Sequence, residues 1–93
     1  MLHNKIRFWQ CLSLARKKEE RFLSEVHFFK GHEYEFLLGF YYRMIGKYEY
    51  AIERLNKALA ENSRYNIAKR ELVQVLIRIE DYASAAIIAE SNY

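Results

Sequence analysis

The sequence contains no proline and only three glycines. Sheet folds built from many short strands turn on those two residues, so their scarcity argues against sandwiches and barrels and for helices. Cysteine occurs once, at Cys11. An internal disulfide is therefore impossible, and the chain suits a reducing compartment. No apolar run reaches the roughly 18 residues that cross a bilayer. Met1 to Lys5 has neither an apolar core nor a small-residue cleavage site, so it does not read as a signal peptide. The expectation is a cytoplasmic chain without a membrane partner. A strong excess of one charge is also missing. Fifteen Lys and Arg against 12 Asp and Glu leave +3, which admits an acidic partner but falls short of the dense basic stripe of a nucleic-acid binder.

What is present is apolar and aromatic. Hydrophobic residues make up 52% of the 93, with eight Tyr and six Phe. That is too much for a disordered tail and suits one small domain with a thin core. From His3 to Lys30, Phe8, Leu12, Ala15, Phe22, Val26 and Phe29 recur at spacings of three, four and seven, which is one stripe on a helix. The run Arg16-Lys17-Lys18-Glu19-Glu20-Arg21 interrupts it and reads as a solvated face with mixed-sign pairs one turn apart. Residues 1–31 are thus an N-terminal helical segment, either one long helix with a solvated middle or two helices meeting near that run. Gly31 is expected to end it. Trp9 and Ile6 lie off the stripe and form a second apolar face.

From His32 the pattern restarts, and it repeats. A shift of 34 residues lays Leu38 on Leu72, Ile45 on Ile79, Tyr48 on Tyr82 and Ala51 on Ala85. The spacing predicts a first helix from Glu33 to Ile45, a turn at Gly46-Lys47, and a second helix from Tyr48 to Ala60. Capping residues follow at 61–64. A third helix runs from Tyr65 to Ile79, a turn falls at Glu80-Asp81, and a fourth helix starts at Tyr82. Gly39 and Ala51 are the small residues that let the first two helices approach closely.

A hairpin recurring at about 34 residues resembles the tetratricopeptide repeat. Leu38, Gly39, Tyr42, Tyr48, Ala51, Leu55 and Ala58 carry the likeness in the first repeat (32–65). Leu72, Leu76, Tyr82 and Ala85 carry it in the second (66–93). The sequence departs from the pattern at Glu35 and Lys69, where a large apolar residue usually opens the helix. It also departs at Ser63, Val73 and Ala89. The fold expected is all-α: a right-handed stack of two antiparallel helical hairpins behind the N-terminal segment, forming one structural domain.

In that family the first helix of each hairpin lines a concave face. The resemblance therefore implies a groove formed by Phe36, Phe40, Arg43 and Met44 with Arg70, Gln74, Ile77 and Arg78. An aromatic and basic groove suits a peptide or helix with an apolar anchor and acidic flanks. The alternative is that the chain's own N-terminal helix, or a contact between copies, fills the groove. Family members that clamp a C-terminal carboxylate use lysine and asparagine where this chain has Phe36 and Phe40, so chaperone-tail binding is not expected.

The last helix, with Ile87 and Ile88 beside Ala85 and Ala89, is apolar most of the way round, unlike the polar end of an independent repeat array. Either two chains pack there, with Trp9, Ile87 and Ile88 as contacts, or this is part of a longer stack. The stretches 68–73, 80–82 and 89–93 are similar to C-terminal repeat modules of bacterial signalling and defence NTPases. His27, His32 and Cys11 lack the spacing of a zinc site, and no glycine-rich phosphate loop or nucleophile turn is visible. The expectation is a non-catalytic protein-interaction module without a metal or other cofactor. The alternative is an oligomerisation or regulatory segment of a larger protein.

Overall fold

A computed structural model describes residues 2–91, with side chains from Lys5 to Ser91. The described residues form six α-helices and no strand: α1 (Leu2–Lys17), α2 (Glu19–Glu25), α3 (Gly31–Met44), α4 (Tyr48–Glu61), α5 (Asn66–Arg78) and α6 (Tyr82–Glu90). A short 3-10 turn, Val26–Phe28, prolongs α2. None of these helices is long and apolar enough to cross a membrane.

The N-terminal segment is two helices. The break falls at Lys18, which leaves helical geometry (φ −140°, ψ 86°) inside the charged run. The order of charges explains it. Arg16 and Lys17 close α1, and Glu19 and Glu20 open α2. Cations at a helix C-terminus and carboxylates at an N-terminus each complement the macrodipole. Residues 16–21 are all exposed, so the run is a solvated stretch as expected, and of the two arrangements left open it is the junction of two helices. Gly31 likewise opens α3 instead of closing the segment before it.

The two later hairpins turn in the same way, 34 residues apart. Gly46 N–H donates to Arg43 O (3.0 Å) and Lys47 N–H to Tyr42 O (2.8 Å). Glu80 N–H donates to Ile77 O (3.0 Å) and Asp81 N–H to Leu76 O (2.9 Å). Each set closes the preceding helix with the paired bonds of a Schellman motif, which demands a left-handed residue at its apex. Gly46 supplies it freely at φ 82°, whereas Glu80 is held there at φ 64°. An L side chain in that conformation is strained by about 1–2 kcal/mol. Glu80→Gly should therefore raise stability by about 1 kcal/mol, visible as a higher midpoint in urea, despite adding a glycine.

Contacts between helices set their directions. Phe8 meets Phe36 and Arg16 meets Phe40, so α1 and α3 run the same way. Phe36 meets Tyr65 and Arg43 meets Glu71, so α5 runs with them. Phe22 stacks on Tyr41 and His27 lies against Tyr34, so α2 runs opposite to α3. The helices thus form three hairpins, α1/α2, α3/α4 and α5/α6. The smallest principal extent, 16 Å, accommodates two helix layers about 8–10 Å apart. The N-terminal segment is a hairpin in its own right, although nothing in it keeps the 34-residue register. One core runs through all three hairpins, from Phe8 and Phe22 through Leu37 and Leu55 to Val75 and Ala85.

Polar clasps join the layers where the sequence departs from an apolar pattern. Glu35 accepts from Arg54 Nη1 at 3.0 Å, tying α3 to α4. Lys69, which occupies the matching position, donates from Nζ to Ser91 O at 2.6 Å, beyond the end of α6. At the helix crossing the two hairpins exchange large for small. Gly39 faces Leu55 in the first, and the matching positions in the second hold Val73 and Ala89.

Candidate functional site

The three parallel helices enclose a trench with a cavity volume of about 520 Å³. Phe36 and Phe40 of α3 form its floor. Trp9, Leu12, Ser13, Arg16 and Lys17 of α1 make one wall, and Ile67, Arg70, Glu71 and Gln74 of α5 make the other. Each wall follows from helical spacing. Residues 9, 12, 13 and 16 share one face of α1, and 67, 70, 71 and 74 share one face of α5.

The floor is fixed by aromatic packing. Phe36 lies between Phe8, stacked at 5.9 Å, and Tyr65, edge-on at 5.7 Å. Both floor rings are buried. They give the trench an apolar base but no deep pocket, because α1 covers the flank that a two-hairpin arrangement would leave open. The expected groove is thus part-filled by the chain's own first helix. Trp9, by contrast, stands at the rim with 59% of its surface exposed.

The walls are basic. Arg16, Lys17 and Arg70 line the trench against one carboxylate, Glu71. Glu71 is committed elsewhere: it is buried and accepts from Arg43 Nε, in an ion pair that joins α5 to α3. Burial first, and then the neighbouring Arg78 and Arg16 guanidiniums, push Arg43 below its usual value. Among the described residues, Arg16, Lys17, Arg70 and Arg78 make no salt bridge.

Of the residues expected to form a groove, the structure brings Phe36, Phe40, Arg70 and Gln74 into one trench. Arg43 is a strut between helices rather than an open wall residue. Met44, Ile77 and Arg78 lie outside the trench lining, toward the ends of α3 and α5. Trp9, Ile87 and Ile88 do not form one patch. Trp9 belongs to the trench, while Ile87 and Ile88 line a cleft with Ile52, Leu72 and Ile79.

The sequence pointed to the N-terminal helix as an occupant of the groove, but not to its lining residues Leu12, Ser13, Arg16 and Lys17, nor to Glu71. Glu71 carried a signal: it sits on the buried stripe Ala68-Leu72-Val75, where a charge needs a partner. The α1 wall carried a weaker one, since Arg16 lies one turn beyond Leu12 on the same face.

Other groups are poorly placed for chemistry. Burial, reinforced by Glu25, pushes the Cys11 thiol up to about 11, so it stays protonated at neutral pH and is a poor nucleophile. The Tyr41 hydroxyl, donating to the Glu19 carboxylate, is pushed up to about 12. Among the described residues no group of three or more His, Cys, Asp or Glu could hold a metal ion. No protein-family model, curated protein or solved structure matches this chain.

Proposed function

We propose that this chain is a non-catalytic protein-interaction module, a tetratricopeptide-like stack that binds an acidic peptide or helix in the trench between α1, α3 and α5. The supporting observation is the combination in one trench of an aromatic floor, an exposed Trp9 and three unpaired cations, Arg16, Lys17 and Arg70. A partner with a leucine-sized anchor could rest on the floor rings while its carboxylates reach the walls. Charge-assisted bonds to arginine would supply direction and association rate. The 34-residue recurrence and the twin Schellman turns support the repeat reading.

Trp9 is the sole tryptophan, so its emission reports on the trench directly. Titration with a peptide of alternating leucine and glutamate should shift that emission. Arg16→Glu with Arg70→Glu should weaken binding by about tenfold or more, since charge reversal turns attraction into repulsion of several kcal/mol. Both residues are exposed, so the far-ultraviolet dichroism should not change. Unchanged affinity in the double variant would overturn the trench as the site.

A second reading rests on the other end of the stack, where Ile87 is 67% exposed. It casts the chain as an oligomerisation or regulatory segment. Light scattering across a dilution series separates the two. Self-association abolished by Ile87→Glu favours the second reading, and a monomer at every concentration favours the first.

A further inference from the structure

The trench has a strongly cationic end. Helices α1, α3 and α5 run the same way, and each carries a cation in its last turn: Arg16 with Lys17, Arg43, and Arg78. Single cations at helix C-termini are ordinary, because they offset the macrodipole. These cations converge. The guanidinium carbons of Arg16 and Arg43 lie 5.8 and 5.3 Å from the centre of one ring, Phe40. Arg78 lies seven residues beyond Glu71, two turns further along the same face of α5, and burial together with the Arg78 and Arg16 charges lowers the pKa of Arg43. One carboxylate, Glu71, is paired with Arg43. The three arginines less Glu71 leave two positive charges, with Lys17 beside them at the end of α1. Glu71 engages Arg43 at Nε, which leaves the terminal amino groups of that arginine for another acceptor.

We propose that Arg16, Arg43 and Arg78 bind a phosphomonoester on the partner peptide, beside the Phe40 ring at the end of the trench. This rests on the reading of the trench as a peptide site and names the anion it selects. The charge left uncompensated is about that of a phosphate monoester, roughly −1.5 to −2 at pH 7, whereas one carboxylate would neutralise half of it. Guanidinium forks match phosphate oxygens in pairs. The like-charge crowding is a penalty that the folded chain carries until a dianion relieves it. A single-stranded nucleic acid would instead call for cations spread along its backbone path, with bases stacked between them. Here the densest cations cluster at one end, and Trp9, Leu12, Ser13 and Gln74 line much of the rest.

The test uses the whole chain and three acetylated, amidated peptides of the form Leu-Leu-Ala-X-Ala-Ala, where X is phosphoserine, glutamate or serine. Inorganic phosphate and a short oligothymidylate are controls. Calorimetry should show the phosphoserine peptide binding about tenfold or more tightly than the glutamate peptide, with the serine peptide weakest. In Arg16→Gln with Arg78→Gln the phosphoserine peptide should fall to the level of the serine peptide, while the thermal midpoint of the free protein stays the same or rises. That second readout separates a lost anion site from a damaged fold. Equal affinity for phosphoserine and glutamate overturns the phosphate assignment and leaves the acidic-peptide trench standing. No binding of any of the three overturns both. Inorganic phosphate binding as tightly as the phosphopeptide, or oligothymidylate binding more tightly, overturns the peptide as its source.

Discussion

Phe22→Ala is expected to destabilise the whole protein by about 3–5 kcal/mol, with one cooperative transition still seen in urea. Phe22 is fully buried and stacks on Tyr41 of α3, with ring centres 5.0 Å apart. Its loss removes the buried side chain that α2 contributes to the core. It also leaves a cavity that neighbouring helices cannot fill without shifting. The Tyr41 hydroxyl is tied to Glu19, one turn before Phe22 on α2, which restrains the ring from moving into the space. A domain of this size is usually stable by about 5–15 kcal/mol, so this single truncation would remove a large share. The experiment also tests whether the N-terminal hairpin is integral. If α1/α2 were only docked on an independent unit, Phe22→Ala would give an early, separate transition and leave the main midpoint in place. Parallel fluorescence from Trp9 and far-ultraviolet dichroism would reveal it. Coincident curves are expected, because one core passes from Phe8 through Phe22 and Leu55 to Ala85.

Gly39→Val should be about as damaging, for the opposite reason. A Cβ at Gly39 would stand 2.7 and 2.9 Å from Leu55 Cγ and Cδ2, and 3.4 Å from the Ala51 carbonyl oxygen. The two Leu55 contacts lie inside van der Waals separation, so α3 and α4 must part or Leu55 must leave its rotamer. Overpacking of this kind costs about 1–3 kcal/mol, and valine places two further methyls at the crossing, so about 3 kcal/mol is expected. Glycine is a poor helix former, and replacing it would ordinarily help by up to about 1 kcal/mol. The close approach reverses that sign. Leu55→Ala alone should cost about 2–5 kcal/mol, because a fully buried side chain is cut back. The two together should cost less than their sum, by about 1–3 kcal/mol. The second hairpin supplies the reason: at the matching positions it already has Val73 and Ala89. Additive losses in the double variant would show that the two crossings are not equivalent.

Much of this architecture was legible from residue spacing. The apolar periodicity placed both ends of α3, α4 and α5 within two residues of those observed, and the start of α6 at Tyr82. Tyr48 and Tyr82 do open α4 and α6. The turn at Gly46 was readable because glycine there meets a backbone demand, and the turn at Glu80 was readable only through the 34-residue match, since glutamate gives no local sign of a left-handed residue. The break at Lys18 was written in the order of charges, basic before acidic, but that order also fits pairing within one helix. The geometry decided between them.

The candidate site was less legible. Phe36 and Phe40 were placed on the correct face of α3, yet their neighbours come from α1, which the repeat pattern does not include. Arg43 looked like an open cation and is instead joined to Glu71, twenty-eight residues away along the chain. Such a pair depends on two helices lying side by side at one register, and no local pattern encodes that distance.

The sequence by itself determined that this protein is helical, where its later helices begin, where α3 to α5 end, and that one hairpin recurs. Those properties follow from period, capping and backbone freedom, each of which acts over a few residues. Only the tertiary structure decided that the first thirty residues form a third hairpin, that α1 part-fills the groove and walls what remains of it, and that two arginines from different helices meet over one phenylalanine ring. Those depend on which helix faces which, and that is fixed by packing across the whole core.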